Sequence, residues 1–295
     1  MPRPFRFGVV VSHAQSHSAW VATVRRIEKL GYSSVLIPDR PSIGGIAPFP
    51  ALAVAAEATT SLRVGSYVFC NDYRHPVLLA REAATLDLLS EGRFELGLGA
   101  GVGPAEFQQL GIPFESGGTR LGHLAETIQL LKQLFTEETV NFNGKYYKIT
   151  AMGGYPRPVQ KPHMPILVAG IGERMLKLAG READIVAIGA RITRQGLDPT
   201  DAPLEQKIAW VKEAAGPRFA DMELSQTIYD IQITDSGAEA AAPGGGPPIP
   251  KRPLSTEQAI AELIERRDRY GFSYLQVFEG QMENFAPVVA GLAGK

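Results

Sequence analysis

The feature that most constrains this chain is a recurrence: a short apolar run of strand type, followed by a segment with helical spacing, eight times over. FRFGVVV leads into SAWVATVRRIEKLG, where Trp20, Val24, Ile27 and Leu30 share a helical face and Gly31 closes the segment. SSVLIPD with FPALAVAAEATT forms the second unit. LRVGSYVF with PVLLAREAATLDLLSEG forms the third, Pro76 standing where a first helical turn tolerates it. RFELGLG opens the fourth unit, and the long stretch after it contains a helix over residues 123–135. PILVAG, ADIVAIG, LSQTIYDIQIT and SYLQVFE are the remaining strands, each followed by a helical segment. Strands this continuously apolar are buried on both faces, as parallel strands are. The economical closure is a single α/β domain over residues 1–295, a (β/α)8 TIM barrel; a doubly wound open sheet is the alternative.

Two segments interrupt the repeat. TVNFNGKYYKIT sets Asn143-Gly144 between alternating residues, a hairpin signal, and marks an insertion over residues 136–164 after strand 4. SGAEAAAPGGGPPIPKRP is low in complexity and defines a flexible loop over residues 236–253, either a lid on the barrel mouth or a plain connector.

Composition narrows the class of function. A formal net charge of -1 offers no basic face for nucleic acid. The single cysteine, Cys70, excludes an internal disulfide and suits a reducing compartment. The first apolar run is far shorter than a signal segment, and no window approaches the roughly 20 apolar residues of a membrane span. The expectation is a soluble cytoplasmic protein whose partner is a small molecule, neither nucleic acid nor membrane.

In a barrel, chemistry gathers at the C-terminal ends of the strands. The fourth strand ends in RFELGLGAGVGPAEF, yet the dinucleotide pattern G-x-G-x-x-G fails there: counting from Gly97 the sixth residue is Val102, and from Gly99 it is Pro104. What remains is a strand end almost without side chains, fit either for close approach of a flat ligand or phosphate, or merely for a tight barrel corner. VAGIGERM repeats the theme, running through Gly170 and Gly172 into a helix N-terminus, a geometry suited to an anion or to a plain βα loop.

The runs RHPVLLAREAATLDLLSEGRFELGLGAG, AEFQQLGIPF, GGYPRPVQKPHMPILVAGIGERMLKLAGREADIVAIG and YLQVFEGQMENFAPVVAGLAGK resemble the luciferase-like monooxygenase superfamily. Within it they are similar to the smaller enzymes that use coenzyme F420, an 8-hydroxy-5-deazaflavin. The resemblance covers nearly the whole chain. It implies a tricyclic ring at the C-terminal mouth, against the ends of strands 2 to 4, with its phosphate near strands 4 and 5. Transferred residue by residue, the implied cofactor contacts are Asp39, Tyr67, Val68, Ala100, Gly101, Ala169, Gly170, Gly172 and Glu173. A non-proline cis peptide buttressing the ring is implied at Tyr67-Val68, with Val68-Phe69 the next candidate. The implied activity is hydride transfer between the deazaflavin and a small organic substrate: an imine, an activated alkene or a carbonyl/alcohol couple. FMN-dependent oxygen chemistry is the alternative enzyme, and a non-catalytic flavin-binding protein the alternative of another class. A homodimer through barrel helices follows from the same resemblance.

Two departures stand out. Many relatives carry Asp-His after strand 2, where this chain has Asp39-Arg40; arginine stays charged and anchors an anion rather than acting as a base, or forms a salt bridge at the rim. Val102 and Gly103 occupy the place where sugar-phosphate dehydrogenases of the family carry an acid, so that activity is not expected. For proton transfer, His13 past strand 1 has a suitable pKa, and Glu279 ends strand 8; with Arg40 they are the candidate catalytic residues, solvated roles being the alternative. Asp72 and Tyr73 are candidates for the substrate side. His75 reads as structural, Cys70 as a buried hydrophobe, and no metal-ligand spacing occurs.

Overall fold

The computed structural model describes residues 2–41, 45–154, 156–237 and 249–295. Eight parallel strands form the frame: β1 (Arg6–Val10), β2 (Ser34–Ile37), β3 (Arg63–Ser66), β4 (Phe94–Gly99), β5 (Ile166–Gly170), β6 (Ile185–Ile188), β7 (Glu223–Thr227) and β8 (Phe272–Phe278). Their order is β3-β2-β1-β8-β7-β6-β5-β4, and β4 returns to β3 through the pairs Val64↔Phe94 and Gly65↔Glu95. The sheet is thus a closed barrel, not the open doubly wound alternative. Closure leaves no free edge and makes burial on both strand faces obligatory, which is why these segments read as continuous apolar runs.

Nine helices are described: α1 (His17–Lys29), α2 (Pro48–Ala58), α3 (Pro76–Leu89), α4 (Pro104–Leu110), α5 (Gly117–Thr136), α6 (Glu173–Glu182), α7 (Leu204–Ala215), α8 (Thr256–Tyr270) and α9 (Met282–Leu292). Local sequence chemistry fixes their starts. Ser16 caps α1 by accepting from the Ala19 amide, Ser255 and Gln258 form a capping box on α8, and prolines open α2, α3 and α4. Gly271 ends α8 at φ 83°, a left-handed position that a Cβ disfavours.

Alternate strand residues point to opposite faces. One set, including Phe7, Val9, Ile37, Leu96 and Val168, packs outward against the helices in the main core. The other set, including Val10, Leu36, Leu167, Ala187 and Tyr274, forms a separate cluster in the barrel interior. Toward the N-terminal end the interior turns ionic: the buried Glu95 carboxylate accepts from Arg6 at 2.5 Å, from Arg63 at 2.6 Å and from the Tyr274 hydroxyl at 3.1 Å. Burial pushes the Glu95 pKa up, but Arg6 and Arg63 outweigh it and hold the carboxyl below its ordinary value.

Several segments differ from the sequence expectation. LRVGSYVF is not one strand: β3 stops at Ser66, and Phe69–Cys70 resumes as a short continuation paired with Leu98 and Gly99. The peptide between them, Tyr67-Val68, is cis, at the position the resemblance implied. A Cβ on Gly97 would lie 2.0 Å from the Ser66 carbonyl oxygen, and one on Gly99 would lie 2.7 Å from Val68 Cγ2. These two glycines therefore make room for the neighbouring strand. LSQTIYDIQIT also splits, because β7 ends at Thr227 and Ile231–Ile233 leaves the barrel to pair in parallel with Arg252–Leu254. That pairing places the end of the expected flexible loop in a strand, while residues 238–248 of it lie outside the described residues. In the 136–164 segment the hairpin is present, Thr139–Asn143 against Lys148–Gly153, with the Gly144 amide donating to the Tyr147 carbonyl at 2.9 Å.

Candidate active site

At the C-terminal ends of β2 to β7 lies a cavity of about 730 Å³. Asp39 and Arg40 border it after β2, Tyr67 and Val68 after β3, and Ala100 and Gly101 after β4. Ala169, Gly170, Gly172 and Glu173 border it from β5 and the start of α6. All nine residues that the resemblance implies as cofactor contacts, and Arg40, thus line one space. His13 and Glu279 lie close to each other at the ends of β1 and β8, and neither lines the cavity. Burial raises the Glu279 pKa, and the neighbouring His13 opposes that rise.

The floor is apolar with neutral hydroxyls set into it. Val68, Ala169, Ala187 and Ile188 supply hydrocarbon, and the Tyr67 hydroxyl pairs with Thr227 Oγ1 at 3.0 Å. Burial pushes the Tyr67 and Tyr229 pKa values up, so both remain O–H donors near neutral pH.

The β5 side is suited to an anion. Gly172 is the N-cap of the ten-residue helix α6, with extended backbone and no side chain capping the helix. The first amides of a helix have no partner within it, and the helix dipole adds partial positive charge there. A Cβ on Gly172 would meet nothing within 4 Å, so the approach to these amides is open. Arg174 lines the same end, whereas the Glu173 carboxylate turns to Lys177 at 3.0 Å. A contact from Glu173 to an anion would therefore run through its backbone.

On the β4 side, Gly101 has φ 83°, and a Cβ there would also run into the Phe107 ring at 2.8 Å. Arg120, from α5, stacks on Phe114 at 4.1 Å and donates to the carbonyls of Ala100 and Gly101, fixing the turn. Sequence reasoning missed Arg120, because its partners come from a distant strand end.

The remaining corner is ionic. Asp39 is held by Arg74 at 2.5 Å and accepts the Cys70 amide at 3.2 Å. Arg40 Nε donates to Glu106 Oε1 at 2.7 Å, so its charge is compensated within the protein. Glu106 is buried in the first turn of α4, and its Oε2 accepts from the Tyr73 hydroxyl at 3.5 Å. Tyr73 lines the cavity, as the sequence suggested; Glu106 does too, and was missed. Among the described residues there is no group of three His, Cys, Asp or Glu able to hold a metal ion, and no helix long and apolar enough to cross a membrane.

Comparison with known proteins adds to this geometry. The profile of the luciferase-like monooxygenase family matches residues 4–226. An F420-dependent glucose-6-phosphate dehydrogenase of Amycolatopsis mediterranei is 35% identical over 167 residues, 54% of this chain and 49% of that protein. An F420-dependent hydroxymycolic acid dehydrogenase of Mycobacterium tuberculosis is 32% identical over 243 residues, 80% of this chain and 65% of that protein. The matches therefore span about half to two thirds of these curated relatives. Among solved structures, the coenzyme F420-dependent tetrahydromethanopterin reductase of Methanopyrus kandleri superposes with a TM-score of 0.79 at 19% identity, covering 98% of this chain and 99% of that one. The long-chain alkane monooxygenase LadA superposes with 0.78 at 13% identity, covering 99% and 91%. The fold is shared by both chemistries.

Proposed function

The chain belongs to the luciferase-like monooxygenase family, and from that membership we propose that it is an F420-dependent oxidoreductase, passing hydride between the deazaflavin and a small organic substrate. The single observation that carries this reading is the cavity of about 730 Å³ at the mouth of the barrel. It combines apolar lining from Val68, Ala169 and Ala187 with the uncapped N-terminus of α6. A planar ring with a phosphate tail needs both, and a cavity of this size suits a ligand of that kind. The coenzyme, when bound, supplies the hydride chemistry.

This chain's residues supply position and polarity. Val68, Ala169 and Ala187 offer hydrocarbon to a ring face, while Tyr67 and Thr227 offer hydroxyls to its polar edge. The amides around Gly172, with Arg174, are the proposed phosphate contacts, and Ala100 and Gly101 give close backbone approach. F420 is preferred over FMN because two relatives similar in sequence are named F420-dependent, whereas shared fold alone does not separate the two. Exposed Leu78, Leu88 and Leu89 on α3 support a homodimer through barrel helices, which light scattering of the purified protein tests.

Calorimetric titration of the purified protein with F420 and, separately, with FMN tests the reading. F420 should bind at least about tenfold tighter, a difference near 1.4 kcal/mol. Preferential FMN binding with oxygen uptake would move the assignment to a monooxygenase. Binding of neither would remove the cofactor site.

A further inference from the structure

Lys207 stands on α7, away from the cavity lining, and its side chain is only 3% exposed. Burying an ammonium on a long flexible stem costs hydration and rotamer freedom, which its partners must offset. Nζ donates to the Gly189 carbonyl at 2.8 Å and to Asp201 Oδ2 at 2.5 Å. Asp201 Oδ2 also accepts the Arg191 amide at 2.7 Å. The loop between β6 and α7 is thereby tied at both ends to one ammonium. Burial pushes the Asp201 pKa up, but the Arg191 amide and Lys207 outweigh it and hold the carboxyl below its ordinary value.

Gly189 is where that loop meets the proposed phosphate turn. Its amide donates to the Gly170 carbonyl at 2.8 Å, just beyond the last register pair of β5 and β6, Gly170↔Ile188. A Cβ on Gly189 would fall 3.0 Å from Ile171 Cγ1, so its backbone lies directly against the turn. Gly170 and Ile171 run straight into Gly172, the N-cap of α6. The platform that carries Lys207 is fixed to the same helix. A Cβ on Gly180 of α6 would fall 2.6 Å from the Val211 carbonyl oxygen of α7, so the two helices meet at close backbone range.

Resting on the F420 reading above, we infer that Lys207 is a positioning residue for the coenzyme phosphate, acting through Gly189 on the Gly170–Gly172 turn. It holds the Gly189 carbonyl, Gly189 holds Gly170, and the amides that follow are set at the α6 N-terminus before the ligand arrives. Amides fixed in advance need not be ordered by the ligand, and that gain goes to affinity. The bond to Gly189 carries this effect. The bond to Asp201 keeps the ammonium charged and the loop closed.

The two partners can be separated in the intact protein with Lys207→Met and Asp201→Asn. The second variant leaves the lysine its bond to Gly189 and leaves Arg191 an amide-oxygen acceptor. Calorimetry reads affinity for F420 and for the phosphate-free 8-hydroxy-5-deazaflavin; hydrogen exchange followed by NMR reads the Gly189 amide without any ligand. Lys207→Met should weaken F420 about tenfold, the size of one hydrogen bond, and leave the phosphate-free compound within about threefold. Its Gly189 amide should exchange at least about tenfold faster. Asp201→Asn should lower the melting temperature yet keep F420 affinity and Gly189 exchange within about threefold of wild type. Lys207→Met/Asp201→Asn, which strands no buried charge, should reproduce the losses of Lys207→Met, and it replaces that variant should the single change fail to fold.

Unchanged F420 affinity or unchanged Gly189 exchange on loss of the lysine overturns the inference. So does an equal loss for F420 and the phosphate-free compound, or a loss in Asp201→Asn as large as in Lys207→Met, either of which marks a purely structural ion pair. Failure of the wild type to bind F420 sinks the cofactor reading instead, and Gly189 exchange in the variants still decides whether Lys207 holds the turn.

Discussion

Arg74 holds the Asp39 carboxylate at the mouth end of β2, with Nη1 2.5 Å from Oδ2 and Nη2 3.3 Å from Oδ1, while its guanidinium covers the Phe69 ring at 4.8 Å. Asp39 is buried and borders the cavity, and the guanidinium fixed beside it compensates its carboxylate. Arg74→Met should destabilise the fold by about 2–3 kcal/mol, below the range of a fully buried pair because Arg74 is partly exposed. Urea denaturation at pH 7 measures this. The double variant with Asp39→Asn should recover part of the loss; a single variant as stable as wild type would show that the pair contributes nothing.

The second prediction concerns the opposite end of the barrel. Arg6 and Arg63 overcome burial to hold the Glu95 pKa below its ordinary value. A depressed carboxyl contributes stability that is present above its unfolded pKa, about 4.3, and is lost as pH falls through the folded value. Glu95→Gln should cost about 3–5 kcal/mol at pH 7 and leave a shallower dependence of stability on pH below about 4.3. Denaturation midpoints between pH 7 and the acid limit read both effects. A parallel loss of stability in wild type and variant on acidification contradicts the assignment.

Gly172 separates ligand chemistry from folding. Its backbone is extended at φ -87°, and a Cβ would meet nothing within 4 Å. Gly172→Ala should therefore fold normally. Gly172→Asp should also fold, even gaining a helix cap, yet weaken F420 binding by about 10²-fold or more by placing a carboxylate where a phosphate is proposed. Thermal melting and calorimetric titration together distinguish these effects. Unchanged affinity in Gly172→Asp removes the phosphate assignment.

Cys70 borders the cavity but is chemically quiet. Burial, with the charges of Asp72 and Asp39 adding, pushes its thiol up to about 12. Since the thiolate is the nucleophile, labelling by iodoacetamide at pH 8 in the native protein should run at least about 10³-fold slower than for a free cysteine. Intact-mass spectrometry over time gives the rate. Labelling at the free-thiol rate would mean an exposed or activated sulfur.

The barrel was legible because its strands are buried on both faces and its helices carry their own caps, so each unit announces itself locally. The breaks were not. The run LSQTIYDIQIT reads as one β-rich stretch, while its second half finds its partner only at Arg252–Leu254, a non-local pairing. The cis peptide at Tyr67-Val68 was implied by the family resemblance, whereas the break of β3 there was not read from the sequence. The cavity-lining glycines and Asp39 could be named because strand ends in a barrel converge. Glu106 could not: an acid in the first turn of a helix reads as ordinary dipole compensation until tertiary structure sets Arg40 and Tyr73 beside it. Arg120 was hidden for the same reason, its charge spent on carbonyls of another element.

Gly99 and Val68 share one small volume: a methyl group on the first would fall 2.7 Å from a methyl of the second. The two positions therefore form a single unit of variation. A lineage that put alanine at 99 would first need something smaller than valine at 68, and that exchange would move the wall of the cavity itself. Ligand shape can thus change in this barrel through paired substitutions at a strand crossing, where the smaller residue at 68 has to precede the larger one at 99.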